Sequence, residues 1–321
     1  MNRRSFVAAL TVIGLGLGLG FGVPSARPDE PVRVVIDADS ANEIDDLYAI
    51  VRALVAPEYK VVGVTSAHWM RSTEPNATVH RSQELHERLL DRMGLRETVP
   101  HPLGADRSMP DPATPIDSPA ARHIIALAHA GGPDDKLLVM ALGAPTNLAS
   151  ALLLDPSIEP KVTFAFIDGD YKNGRWGPGI FNWKNDIHAV RAIFESKVDY
   201  FHMPAKSVSV EMVLTKQDVD EHLKGRGGAW DFLVERWETF PRTAGKPRKV
   251  MWDVALVEAM LRPDLATRVV VGAPIIRDAE TVEQHPDNPR RVTVFEAIDA
   301  EGMARDFWKA LDAAVAGHRS P

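Results

Sequence analysis

From Pro31 onward the chain alternates short β-branched runs with longer stretches of helical periodicity, and this alternation limits the fold more than any other feature. Val32-Arg33-Val34-Val35-Ile36 is short and rich in branched apolar side chains, the pattern of a strand buried on both faces. Residues 44–55 then place Ile44, Leu47, Tyr48, Val51 and Leu54 on one helical face. Residues 60–65, 136–140 and 161–167 repeat the first pattern, and residues 76–90, 120–130, 147–154 and 187–195 the second. Parallel strands need crossovers, and helices are the usual crossover. The expected fold class is therefore α/β, a mainly parallel, doubly wound sheet with flanking helices. One domain is expected over residues 31–321, since no linker interrupts the pattern.

Further along, Thr215-Lys216-Gln217-Asp218 has the form of a capping box opening a helix. Trp230, Leu233, Val234 and Trp237 follow at i, i+3, i+4 and i+7, a core-facing stripe rather than a base-stacking wall. Residues 268–276 and 291–298 read as paired strands, and residues 301–315 close the chain as a helix. Residues 100–119, rich in proline, aspartate and serine, are expected to form a long surface loop of the kind that borders active sites. At the other end, Arg3-Arg4 precedes a glycine-rich apolar stretch and then Pro24-Ser25-Ala26. This is the form of a cleaved leader over residues 1–26, of twin-arginine type, which directs the protein to the periplasm or beyond.

Chemistry is concentrated in one place. Between Ile36 and Leu47 stand Asp37, Asp39, Glu43, Asp45 and Asp46, with no lysine or arginine between Arg33 and Arg52. Such clusters are often solvated loops with helix-capping aspartates, and that would account for Asp45 and Asp46. It does not account for a buried strand that runs straight into Asp37 and Asp39, where crowded carboxylates cost several kcal/mol unless a cation joins them. A hard divalent ion with oxygen ligands resolves the conflict. The chain has no cysteine, so thiolate metal sites and cysteine nucleophiles are excluded. A net charge of −7 argues against nucleic acid as a partner.

The segment Asp-Ala-Asp-Ser-Ala-Asn-Glu-Ile-Asp-Asp at 37–46 resembles the signature of the nucleoside hydrolase family, with a loop two residues longer than in its best-known members. Three further segments agree in order and spacing. Leu142-Gly143-Ala144-Pro145-Thr146-Asn147 is similar to the family's Leu-Gly-Pro-Leu-Thr-Asn. Phe181-Asn182 with Asp186 is similar to its Glu-Phe-Asn … Asp-Pro-Glu-Ala-Ala, and Trp252-Asp253-Val254-Ala255 stands where it carries His-Asp-x-x-Ala. The resemblance implies Ca²⁺ held by Asp39, Asp46, Asp253 and the backbone carbonyl of Thr146. Asp45 and Asn182 would hold the sugar hydroxyls, Asp39 would take the proton of the attacking water, and Asp37 would support the site from behind. The implied reaction is hydrolysis of the N-glycosidic bond of a ribonucleoside or related N-riboside, with inversion. The expected partner is that small molecule, with no lasting membrane insertion after processing, and self-association into a homo-oligomer is left open.

Three positions depart from the family pattern. Trp252 replaces the histidine before the last metal aspartate, Ile180 replaces a glutamate beside the ribose 5′ side, and His68-Trp69-Met70 replaces an asparagine after the second strand. His68 is the nearest replacement proton donor, although a lone histidine is more often structural. The metal half of the site is therefore retained and the leaving-group half altered. Two alternatives follow: the same fold acting on a different glycoside, and a calcium- and ribose-binding protein without turnover. A more remote one is a haloacid-dehalogenase phosphatase, with Asp37 as nucleophile and Asp168-Gly169-Asp170 as its later motif.

Overall fold

The computed structural model describes residues 30–70 and 77–317, so the leader expected over residues 1–26 and the expected helix start at Asn76 lie outside the described residues. The framework is a seven-stranded sheet. Its strands in chain order are β1 (Val32–Ala38), β2 (Tyr59–Ser66), β3 (Leu137–Ala141), β4 (Val162–Asp168), β7 (Asp199–Pro204), β10 (Ala266–Gly272) and β13 (Arg291–Ile298). Across the sheet the order is β10-β13-β7-β4-β3-β1-β2. Every neighbouring pair is parallel except β10–β13. The small hairpins β5 (Asp170–Lys172) with β6 (Arg175–Gly177), β8 (Val213–Thr215) with β9 (Arg248–Val250), and β11 (Ile275–Ile276) with β12 (Val282–Glu283) lie outside it.

Both faces are covered, for the reason the composition of the strands suggests. Along β1, Val34 and Ile36 enter one apolar core and Val35 the other, and β3 and β4 alternate in the same way. One core is closed by α1 (Asp45–Val55), α2 (Thr78–Arg92), α7 (Lys216–Leu223), α8 (Gly228–Thr239), α9 (Trp252–Leu261) and α10 (Ala300–Gly317). The other is closed by α3 (Pro119–Ala130), α4 (Thr146–Leu154) and α6 (Ile187–Glu195), with the short α5 (Asn182–Asn185) at its edge. The Thr215 cap is present, its hydroxyl accepting from the Asp218 N–H. Trp230, Leu233, Val234 and Trp237 are all buried core, as the helical spacing suggests. Among the described residues, no helix is long and apolar enough to cross a membrane.

Three differences from the sequence reading have physical causes. The strand expected over 268–276 is broken: β10 ends at Gly272, and Ile276 pairs with Val282 instead of β13. Pro274, which has no N–H to give a ladder, stands at the break. Strand β7 carries a histidine where a core strand is expected to be apolar. His202 is tolerated because its Nδ1 meets the Tyr200 hydroxyl at 2.9 Å. The 100–119 segment is irregular, but it is not a free margin. Ala105 and Met109 are buried, and the N–H groups of Gly104, Ala105 and Met109 are accepted by Ser66, Asn147 and Asp186.

Candidate active site

A cleft of about 370 Å³ opens beyond the carboxyl ends of β1, β4 and β7. Asp39 leaves β1, Asp45 and Asp46 form the first turn of α1, and Asp253 lies in the first turn of α9. Two helix N-termini thus present acids to one place, where their dipoles favour negative charge. A buried ion pair holds the two helices in register. Arg52 of α1 donates to Glu258 of α9 at 2.5 Å and to Asp306 of α10 at 2.8 Å. The turn after β3 packs on the same loop. A Cβ on Gly143 would lie 2.7 Å from the Ala67 Cβ and 3.0 Å from the Asp39 Cβ, so glycine is required by close approach.

One carboxylate oxygen each from Asp45, Asp46 and Asp253 lie within 4.8 Å of one another, a buried group able to hold a metal ion. Asp39 Oδ2 and Asp45 Oδ1 accept no hydrogen bond, and the Asp46 carboxylate has no partner beyond the neighbouring Asp253 carboxyl. Burial, and then the charges of Asp46, Asp45 and Glu43, push the Asp39 carboxyl well above the usual carboxylate range. Burial, followed by Asp45 and Glu43, does the same to Asp46; burial, followed by Asp45, Asp46 and Asp39, does it to Asp253. Buried oxygens without partners, and no soft donor among them, fit a hard divalent cation.

Across the cleft the surface is largely apolar, with Lys206 among the residues that line it. Ile167, Ile180, Phe181, Ala205, Val210 and Trp252 line it. Its shape depends on Asp168 at the end of β4, which accepts the N–H groups of Ile180, Phe181 and Trp183, the last at 2.6 Å. That turn delivers Asn182 to the cleft. Its amide nitrogen donates to the Leu142 carbonyl at 2.7 Å and the Ile167 carbonyl at 3.1 Å. Both amide hydrogens are thereby committed, which leaves Oδ1 as an acceptor for a ligand hydroxyl.

The structure brings Asp39, Asp45, Asp46, Asn182 and Asp253 to the cleft wall. Thr146 is not in the wall. Its buried hydroxyl donates to Asp186 Oδ2 at 2.6 Å and meets His68 Nε2 at 3.0 Å behind it. His68 belongs to this internal network, and burial lowers its pKa to about 4, the reverse of what a proton donor needs. Asp37 also lies behind the cleft, accepting from Thr65 at 2.6 Å and Asn147 at 2.9 Å, with burial raising its pKa to about 7. A phosphatase nucleophile could not act from there, and the Asp168 carboxylate is occupied by backbone N–H groups.

Two cations beside the acids escaped the sequence reading. Lys249 of β9 sits 2.8 Å from Glu43 Oε2 and 3.3 Å from Asp45 Oδ1, and Arg242 also pairs with Glu43. Burial opposes the charge of Lys249, but Asp45 and Glu43 outweigh it and raise its pKa. Nothing local in Pro-Arg-Lys-Val-Met-Trp-Asp marks this lysine, because its partners are remote in sequence.

Comparison with known proteins bears on the family and the fold. The family model described as "Inosine-uridine preferring nucleoside hydrolase" matches residues 34–305. A probable uridine nucleosidase 2 of Oryza sativa subsp. japonica is 27% identical over 235 residues, covering 65% of this chain and 66% of that protein, just under two thirds of its length. A plant nucleoside hydrolase structure superposes with a TM-score of 0.70 at 23% identity, covering 88% of this chain and all (100%) of the other. A purine-preferring ribonucleoside hydrolase from Gardnerella vaginalis gives 0.66 at 18% identity, covering 88% and 99%. With the sheet order, the acidic cleft and a family match over most of its length in agreement, the chain belongs to the inosine-uridine preferring nucleoside hydrolase family of N-glycoside hydrolases.

Proposed function

We propose that the protein hydrolyses the N-glycosidic bond of ribonucleosides or related N-ribosides, releasing ribose and free base, and that it does so with calcium. The observation carrying this reading is the set of buried, unpartnered carboxylate oxygens of Asp39 and Asp46 beside Asp253. Asp39, Asp46, Asp253 and the Thr146 carbonyl would hold the ion. Calcium there would supply the missing counter-charge and lower the pKa of a bound water.

The chain's own residues supply the rest. Asp45 and the free Oδ1 of Asn182 orient the ribose hydroxyls. Asp39 accepts the proton of the attacking water as that water meets the anomeric carbon, and the C–N bond electrons leave with the base. The acidic floor stabilises the positive charge that develops on the sugar, and attack from that floor inverts the anomeric centre. The apolar wall excludes water from the base side.

A second reading, the same reaction on a less common N-riboside, is favoured by the identity of that wall. Trp252 stands where the resemblance places a histidine, and no histidine is among the described residues lining the cleft. A leaving group that departs without protonation suits such a wall. Reducing-sugar release from a panel of nucleosides and N-ribosides, with wild type and Asp39→Asn, tests both readings. Release abolished by Asp39→Asn and by chelator is expected. Silence across the whole panel, with calcium and ribose still bound, would leave a binding protein instead. Export is likewise proposed from the arginine pair and apolar leader, and the N-terminal sequence of the secreted chain tests it.

A further inference from the structure

Proximity alone would make Asp45 a metal ligand, because its oxygen clusters with those of Asp46 and Asp253. The hydrogen bonding and ion pairing separate them. Asp46 has no partner beyond the neighbouring Asp253 carboxyl, and among the described residues no cation pairs with it. Asp45 differs by its cation: Oδ1, which accepts no hydrogen bond, has the ion pair to Lys249 Nζ at 3.3 Å, and Oδ2 accepts the Asp253 N–H at 3.3 Å.

Lys249 is a built element of the site and not a surface charge. Its side chain is only 7% exposed. It enters from β9, whose register sets it opposite Leu214. Its ammonium is fixed by Glu43 Oε2 at 2.8 Å, by Asp45, and by the Trp252 ring, whose centroid lies 4.6 Å away. Glu43 is itself held by Arg242. The charged groups around the ammonium are thus Glu43, Asp45, Asp253 and Arg242, the third acting through its field. A buried ammonium keeps its charge only through such partners. Here the partners also fix two cleft residues, Asp45 and Trp252.

We propose that Lys249 is a positioning residue that reserves Asp45 for the substrate. By pairing with Asp45 it withholds that carboxylate from the calcium ion, so that Asp39, Asp46 and Asp253 are the carboxylate ligands. This rests on the function proposed above. It adds a resident cation that divides the acids into ligands and a substrate-binding group.

Calorimetric calcium titration of the full chain tests it, with nucleoside kinetics alongside. Asp45→Asn is expected to keep calcium affinity within about threefold while raising KM, whereas Asp46→Asn loses at least about a hundredfold. Lys249→Met removes a positive charge beside a cation site. It is expected to bind calcium on the order of tenfold more tightly and to gain a larger calcium-induced rise in Tm, although KM rises. Lys249→Arg restores affinity towards wild type. A merely structural lysine would instead weaken calcium binding when lost. Equal loss of calcium in Asp45→Asn and Asp46→Asn, or no tightening in Lys249→Met, overturns the proposal. Should Lys249→Met not fold, the comparison of Asp45→Asn with Asp46→Asn decides alone. If wild type itself fails to bind calcium, the calcium reading falls and takes this inference with it, an outcome distinct from failure in the variants only.

Discussion

Two groups of acids gather around helices α1 and α9, one matched by cations and one not. Away from the cleft, Arg52 stands between Glu258 and Asp306, so each acid there has a partner. At the cleft, Asp39, Asp46 and Asp253 repel one another by charge, and among the described residues no cation pairs with Asp39 or Asp46. Even the matched group feels its burial, since Glu258 is raised to about 7 by desolvation against the pull of Arg52. The same helices thus show two uses of a buried acid. Matched, it joins elements and belongs to the scaffold. Unmatched, it keeps a buried charge that a cation would satisfy, the arrangement on which the proposed function rests.

Exchanging the behaviour of the two groups is the sharpest way to test that contrast. Asp39→Asn is expected to lower kcat/KM by about 10²–10⁴-fold, the range of a lost general base, while Tm in chelator stays level or rises. Arg52→Met should do the converse. It leaves the buried Glu258 without its cation, while Asp306 keeps Arg262, and urea denaturation is expected to show a loss of about 3–5 kcal/mol. If Asp39→Asn destabilised the chelated protein as strongly as Arg52→Met, the distinction between the groups would fail.

Proton linkage gives a smaller effect with a defined sign. Asp37 and Glu258 titrate near 7 in the folded chain, well above their ordinary values, because burial disfavours their charge. The folded state then holds protons that the unfolded chain has already released. Chelated protein should therefore lose stability as pH rises from the usual carboxylate range through about 7, and recover it as pH falls. Neither group lies in the cleft, so this part of the slope is expected to persist in saturating calcium, and melting curves across that window with and without calcium will show it. The smallest expected effect is at the apolar wall. Trp252→Ala should raise KM by about two- to tenfold with kcat little changed, equivalent to about 0.5–1.5 kcal/mol of ring contact.

Much of the framework was legible from local pattern. Strands β1 to β4 are short, mostly apolar runs, and α1 and α6 have clean helical periodicity, so neighbouring residues carried the information. Strand β7 was not legible, because a histidine and an aspartate break its apolar run, and only the Tyr200 hydroxyl and the surrounding rings make His202 acceptable there. In the cleft, Asp39, Asp45 and Asp46 were marked by their spacing within one loop. Asn182 and Asp253 were marked only through resemblance, and Lys249 and Arg242 by nothing.

The division has a physical reason. By itself the sequence determined which segments would be strands and helices, and that acids would crowd the end of the first strand, since both follow from residues close together in the chain. Only the tertiary structure decided which charges those acids meet. Coulombic partners and burial depend on contacts between α1, β9 and α9, which are distant in sequence. Arg52 satisfies one end of the helix pair, and Lys249 engages Asp45 and Glu43 at the other. What remains unmatched, at Asp39, Asp46 and Asp253, is where the chemistry is expected to occur.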